Sequence, residues 1–325
     1  MKDQVTTFAP LHSDNGGADL QPGLLYLPND SRFNSSYLSE PLTAYATGVK
    51  VDQRVQQALD FIAPQVDVAR NFEFFQNVEG ESFYTDADDE RAIGAAFKEV
   101  KYSGKKNLGK TRNHGLTMIL DDDEEGIPGF KERKVAKLKN RVLMNSLMRA
   151  YAALLAATGA GTGSVWGAGT DPDALLMQAV KAGTDDRGIA PNALLLGRAA
   201  WLARFLAYRG SKSNTTWQLS TMVLQQVAEL TGMTASQFID ARYAVTKTTK
   251  AEVVGSVAIG FFSQNAPDLD DPSTVKRFVT PISGGLRVFE QRLDAKRTAI
   301  TVEHYESIIG FGGAGTFRLN VSSAS

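Results

Sequence analysis

The chain has 325 residues, 43% of them apolar, and a formal net charge of −1, enough material for a sizeable core and, by length, about two domains. It has no cysteine, which excludes disulfides, thiolate metal sites and cysteine nucleophiles, and its three histidines, His12, His114 and His304, are too few and too scattered to suggest a metal site. The near-neutral balance excludes the global basic character that drives nucleic-acid binding by itself, so any such binding has to be local.

The N-terminal segment "MKDQVTTFAPLHSDNGG" lacks an apolar run of signal-peptide length, which predicts a product that is cytosolic at synthesis. Residues 1–48 mix Gly, Pro, Asn, Ser and Asp with isolated apolar residues such as Leu24, Leu25, Tyr26 and Leu27. Without a sustained period they read as an extended arm that lies on the rest of the protein or on a neighbouring subunit. Val51, Val55, Leu59 and Ile62 then recur at helical spacing ahead of Pro64, predicting a short amphipathic helix and a first unit over residues 1–65.

From residue 66 to 120 the pattern turns to short extended pieces, "NFEFFQNV", "ESFYT", "AAFKEVKYS" and "HGLTMIL", whose β-branched and aromatic residues predict strands. Charge is segregated here. Glu79, Glu81, Asp86, Asp88, Asp89 and Glu90 fall within residues 79–90 without a base; Lys98, Lys101, Lys105, Lys106, Lys110 and Arg112 fall within 98–112 against the single acid Glu99. Two limbs of opposite sign suit a long loop or hairpin that docks on complementary neighbours. That makes Glu81, Asp88, Asp89, Glu90, Lys101, Lys105, Lys106, Lys110 and Arg112 candidate subunit-interface residues. The plainer reading is a solvated surface whose exposed pairs are worth about 0 to 1 kcal/mol each.

Within the basic limb, "GKKNLGKT" from Gly104 to Thr111 fits the phosphate-loop pattern G-x-x-x-x-G-K-[ST]. That chemistry needs a buried strand before the loop and a helix after it, so that backbone N–H groups and a lysine can wrap phosphate oxygens. The preceding "FKEVKYS" is rich in Lys and Glu, and only Arg112 to Gly115 separate Thr111 from the apolar "LTMIL". A parallel crossover takes about a dozen residues or more. The glycines therefore read as turn residues and the lysines as surface charge. A nucleotide-binding enzyme is kept as the alternative of a different class.

The strongest helical period runs from Phe130 to Ala157, where Leu138, Val142, Leu143, Leu147, Tyr151, Leu154 and Leu155 form one stripe on a helix of around 40 Å. Its first half, Lys131 to Arg141, carries six bases on other faces, either solvated or meeting acids of a neighbour or nucleic-acid phosphate, with protein contacts the main use expected of them. The acids from Asp121 to Glu125 suit a helix N-terminus, with cation binding the less ordinary use. Residues 150–170 carry no charge, but their second half is mostly Gly, Ala, Ser and Thr. They read as a helix end running into a flexible glycine-rich connection, not a membrane span, and close a unit over 121–160.

Residues 161–325 read as a mixed α/β unit. Asp171 and Pro172 are set to open a helix that Gly183 stops, and Pro191-Asn192 turns into a buried strand from Ala193 to Leu196. "RAAWLARFLAYRG" predicts a helix with Trp201, Leu202, Phe205 and Leu206 inward and Gly210 after its end, followed by one helix over about 217–231. "VVGSVAIGFFS", "TAITVEHYESII" and "GTFRLNVSS" predict closing strands. "GFGGAG", Gly310 to Gly315, fits G-x-G-x-x-G, yet only ten residues follow it, so the βαβ unit of a dinucleotide site has no room. No H-E-x-x-H, G-x-S-x-G or His/Ser/Asp grouping is present, and no catalytic residue, cofactor or metal is expected.

Arm, charged loop of strands, long helix and α/β unit with closing strands follow in an order that resembles the major capsid proteins of tailed double-stranded DNA phages, the Hong Kong 97-like capsid family, whose fold encapsulins share. "ERAIGAAFKEVKYSG" and "HGLTMILDDDE" look like the family's extended loop and its exit toward the spine helix. "DPDALLMQAVKAG", "GIAPNALLLGRAAWLARFL" and "ITVEHYESIIGFGGAGTF" look like its axial domain and closing strands. The resemblance implies an α+β fold with an N-terminal arm, an extended β loop over 66–120, a spine helix in a peripheral domain, and an axial domain whose last strands return to the peripheral one. It implies a non-enzymatic subunit that assembles with itself, as hexamers and pentamers, into an icosahedral-type shell that encloses double-stranded DNA without sequence-specific binding. Portal and scaffolding proteins are the implied partners, membranes are not, and the place is the virion after assembly in the host cytoplasm. An encapsulin-type compartment shell is the alternative. Some relatives carry a large cleaved N-terminal scaffolding segment; the short arm here implies a separate scaffold or none. Others join a loop lysine to an asparagine of another subunit, and Lys105, Lys106 and Lys110 lie on the loop without an asparagine or acid that matches.

Overall fold

A computed structural model describes residues 37–49, 53–76, 105–124, 128–210, 214–246, 248–265, 268–269, 271–281, 285–312 and 315–323. Helices α1 (Glu40–Gly48) and α2 (Gln53–Ile62) lead into strands β1 (Gln65–Asp67) and β2 (Asn71–Gln76). Strands β3 (Lys105–Lys110) and β4 (Arg112–Asp121) precede the long helix α3 (Phe130–Ala157). Next come β5 (Thr162–Trp166), α4 (Pro172–Arg187), β6 (Ala193–Leu196), α5 (Arg198–Gly210), α6 (Asn214–Ser220), α7 (Leu224–Leu230) and β7 (Ala235–Phe238). The short strands β8 (Arg242–Ala244) and β9 (Lys250–Glu252) pair with each other, and β10 (Val257–Phe261), β11 (Val275–Val279), β12 (Arg287–Arg292), β13 (Arg297–Gly310) and β14 (Phe317–Ser323) close the chain.

The stripe read in α3 is what joins two sheets. In its first half Val135 and Leu138 pack on Leu42 and Ala46 of α1 and on Leu120, Val288, Ile300 and Val302, the inner face of a sheet ordered β1-β11-β13-β12 with β4 on the other side of β13. In its second half Leu147, Ala150 and Leu154 pack on α2 and on Leu195, Ile259 and Phe261 of a second sheet, ordered β5-β14-β10-β6-β7. The far face of that sheet, including Leu194, Leu196, Phe317 and Leu319, is covered by Leu176 of α4, Ala200 and Ala203 of α5 and Val227 of α7. Each fully buried Leu or Phe contributes on the order of 2 kcal/mol, so one helix carries a share of both cores.

Several expectations shift. Residues 40–48, read as the end of an extended arm, form α1, because Lys139 of α3 reaches its last carbonyls, Ala46 O at 2.5 Å and Val49 O at 3.0 Å. Lys139 is thus a buried cap and not part of a solvated basic face. The glycine-rich connection after α3 turns at Gly159 and Gly161 and then becomes β5, parallel to β14. Asp171 caps α4 as expected, accepting from the N–H groups of Asp173 and Ala174. Gly183, however, does not end it. The helix runs on to Arg187 and stops at Gly188, whose φ is 76°; Gly183 is small because a Cβ there would lie 2.9 Å from the carbonyl oxygen of Thr316.

Helix α5 turns a different face inward than its apolar residues suggest. Ala200, Ala203, Arg204, Ala207 and Tyr208 are buried, while Leu202 is 54% exposed. Small residues let the helix approach the sheet closely, and Arg204 is drawn in by a carboxylate from α4. The single helix expected over 217–231 is two, α6 and α7, broken where Gln226 Oε1 accepts from the Val223 N–H. Among the described residues no helix is long and apolar enough to cross a membrane.

Candidate functional site

Of the interface candidates, Glu81, Asp88, Asp89, Glu90 and Lys101 lie outside the described residues, as do "ESFYT" and "AAFKEVKYS", and Lys105 is described only as the first backbone position of β3. Lys106, Lys110 and Arg112 are placed. Antiparallel β2 and β3 form a two-stranded stem on which Lys106 Nζ meets Glu73 Oε2 at 2.5 Å, both about half exposed. Lys110 stands opposite Asn71, and Arg112 opens β4 in register with Glu306. Leu108, 81% exposed, projects from the same stem.

The stem is bolted to the body by rings. Phe72 and Phe74 pack with Phe278 and Phe311, with centroids 4.5 Å apart for Phe72–Phe278 and 5.4 Å for Phe74–Phe311. Gly109, read as a turn residue, sits inside β3 instead: a Cβ there would fall 2.4 Å from the Phe72 ring. "GKKNLGKT" is therefore extended from Lys105 to Lys110 and continues as a strand. Thr111, the residue a phosphate loop would offer to magnesium, is buried and shares a 2.8 Å hydrogen bond with the Thr280 hydroxyl. That segment lacks both the cradle and the helix of a nucleotide site.

Where α3 meets β13, a charged layer interrupts the core. Glu306 accepts from Ser146 Oγ at 2.8 Å and from Arg149 Nε at 3.2 Å, with a second contact to Arg149 Nη2. His304 Nε2 lies 3.2 Å from its other oxygen. Burial opposes ionisation of Glu306, but His304 and Arg149 outweigh it and hold the carboxyl well below the usual carboxylate range. His114 faces His304 across the β4–β13 ladder, ring centroids 5.8 Å apart. Burial first, and then the Arg149 charge, lower its pKa to about 4. On the opposite face of the sheet Glu303 accepts from Asn113 Nδ2 at 2.7 Å and pairs with Arg287.

Three of the acids before α3 are neutralised within the chain. Asp122 receives Arg292, Asp123 lies 3.2 Å from Lys296, and Glu124 lies 3.3 Å from Lys134. Among the described residues no group of three or more His, Cys, Asp or Glu is arranged to hold a metal ion.

A second buried pair organises the outer helices of the other sheet. Arg204 donates to both oxygens of Asp173, at 2.7 and 2.8 Å, and to the Leu219 carbonyl at 3.2 Å. Its guanidinium lies 5.0 Å from the rings of both Trp201 and Tyr208. Tyr208 donates to Asp171 Oδ1 at 2.7 Å, and burial, reinforced by that bond, raises its pKa. With α4, α5 and α6 tied together, Leu202, Leu206 and Trp217 are left facing solvent, and Arg209 stacks 4.6 Å over Trp217. Sequence reasoning missed both buried networks; charged residues inside the apolar run "TAITVEHYESII" were the available signal for the first.

Two sheets sharing one long helix, with a charged two-stranded stem projecting from one of them, make up the α+β fold of phage capsid subunits. No family model and no curated protein matches the chain, but solved structures do. A phage-related protein from Bordetella bronchiseptica RB50 aligns with a TM-score of 0.62 at 17% identity, over 87% of this chain and 96% of that one. The capsid of cyanophage P-SCSP1u aligns with a TM-score of 0.50 at 9% identity, over 82% and 88%. A virus-like particle from Pyrococcus furiosus aligns with a TM-score of 0.49 at 11% identity, over 87% and 99%. The likeness is one of fold.

Proposed function

We propose that this chain is the major capsid subunit of a tailed double-stranded DNA phage, a structural protein that assembles with itself into the head shell. The observation that carries the reading is the fold alignment with a phage-related protein over 87% of the chain, joined by a cyanophage capsid. The physical features agree with it: a charged stem with an exposed Leu108 and a solvent-facing Leu202, Leu206 and Trp217 surface are the raw material of repeated contacts between copies. In this reading residues 1–65 act as arm and short helix, the loop of 66–120 reaches a neighbour through Glu81, Asp88, Asp89, Glu90, Lys101, Lys105, Lys106, Lys110 and Arg112, the helix of 121–160 is the spine, and 161–325 form the axial part. Portal and scaffolding proteins are its further partners, and it needs no cofactor.

Expression of the full chain followed by electron microscopy of the purified product tests the proposal. Closed shells of regular size are expected. A product that stays monomeric and binds ATP or GTP in a manner lost in Lys110→Ala overturns it. Shells that hold a cellular cargo protein, without portal or DNA, replace it with the encapsulin reading.

A further inference from the structure

The spine helix carries Arg133, Lys137 and Arg141 exposed along its first half, each four residues from the next. Four residues of α-helix advance about 6 Å and return to nearly the same side, so the three bases form one line. Like charges at this spacing repel, which weakens the helix unless something negative lies along it.

Nothing in the described chain does so. Four neighbouring bases are matched by acids: Lys131 by Glu290 and Lys134 by Glu124 on this same helix, Arg292 by Asp122 and Lys296 by Asp123 beside it. Lys137 and Arg141 have no carboxylate at ion-pair distance among the described residues, and Arg133 donates to the Pro128 carbonyl at 3.0 Å.

The composition of the line separates two kinds of partner. Protein contacts centre on apolar and aromatic anchors, to which arginine but seldom lysine is added, and this describes the Leu202, Leu206 and Trp217 surface with Arg209 over it. Between residues 130 and 141 of α3 the exposed positions are Arg133, Lys137, Asn140 and Arg141, all polar. Surfaces that meet nucleic acid are polar and strongly positive, with arginine and lysine set against phosphates. We infer that Arg133, Lys137 and Arg141 form a sequence-independent docking strip for nucleic-acid phosphate. The inference rests on the capsid reading for the source of that phosphate, the enclosed genome.

Three phosphate contacts have a measurable signature, because each neutralised phosphate releases counterions and steepens the salt dependence of binding by about 0.9 in log–log slope. The test measures binding of the full-length subunit to a fluorescent random-sequence duplex of about two helical turns across a salt series. It compares the wild type, the triple variant Arg133→Gln/Lys137→Gln/Arg141→Gln, the charge-retaining Arg133→Lys/Arg141→Lys, and Arg198→Gln, whose arginine pairs with Asp240 elsewhere. Circular dichroism and electron microscopy follow fold and shell formation in each.

The triple variant is expected to fold, to form the same empty shells, and to lose about 2 to 3 from the slope. The charge-retaining variant and Arg198→Gln keep the wild-type slope, and unrelated duplex sequences behave alike. A triple variant with wild-type slope, or a wild type that ignores duplex at low salt, overturns the inference. So does a triple variant that keeps duplex binding but no longer forms shells, since the line then belongs to a protein contact. A wild type that forms no shells, yet shows the slope change, removes the capsid reading and leaves the strip standing.

Discussion

A carboxylate that is 1% exposed stays an anion only when its neighbours replace the water it has lost. Glu306 does this with Ser146, Arg149 and His304, and Asp173 with Arg204. The two pairs differ in what removal leaves behind. Arg149 is 35% exposed and regains water, so Glu306→Gln is expected to destabilise by roughly 2 kcal/mol; Arg204 is 0% exposed, so Asp173→Asn is expected to cost about 3 to 5 kcal/mol. Urea unfolding at pH 7 checks that order, and equal losses would count against it. The same cluster sets a response to acid. His114 is held near pKa 4 in the fold against 6.5 otherwise, and Glu306 is also held below its ordinary 4.5. Both folded-state values are depressed, so both groups stabilise above the unfolded values and lose that contribution as pH falls. The His114 part drains between pH 6.5 and 4, by on the order of 2 kcal/mol, and the Glu306 part below 4.5. Urea midpoints measured from pH 7.5 to 4 are expected to fall, and to fall less in His114→Phe; parallel curves would refute the assignment.

Helix α4 offers a test in which two elementary effects have opposite signs. Alanine is the better helix former by about 1 kcal/mol, but at position 183 its Cβ would press on the Thr316 carbonyl at 2.9 Å and push α4 from the segment before β14. Gly183→Ala is therefore expected to destabilise by about 1 to 3 kcal/mol, read as a lower thermal midpoint. A rise would mean that intrinsic propensity wins. The sequence reading took that glycine as a stop because nothing local reveals Thr316. Helix α3 and the Ala193–Leu196 strand were legible because a long stripe and a short apolar run between turn residues are local signals. The inward face of α5 was not, since the carboxylate that draws Arg204 inside stands 31 residues away. Nor was the place of β4 in its sheet: Asn113 and Glu303 meet across a separation of 190 residues. The candidate interface was legible as charge segregation alone, and the rings that fix its stem come from Phe278 and Phe311, far along the chain.

For the molecule as a whole, the proposed shell reading predicts that the stem separates folding from association. The Lys106–Glu73 pair is half exposed and worth about 0 to 1 kcal/mol, so Lys105→Glu/Lys106→Glu is expected to leave the far-ultraviolet spectrum and unfolding midpoint nearly unchanged. Shell yield, followed by sedimentation and electron microscopy, is expected to fall; unaltered shells would dismiss these lysines as contact residues. The 14-residue β13 imposes a different order of events. It is the ladder partner of β4, β12 and β11 at once and supplies Ile300, Val302 and Glu306 to the underside of α3. A ribosome adding about 5 to 20 residues per second takes roughly 10 to 35 s to go from the end of β4 to the start of β13. Until β13 is made, the first half of α3 has only an incomplete sheet to rest on. A chain interrupted before residue 310 lacks the strand that completes this sheet and the charged layer beneath α3.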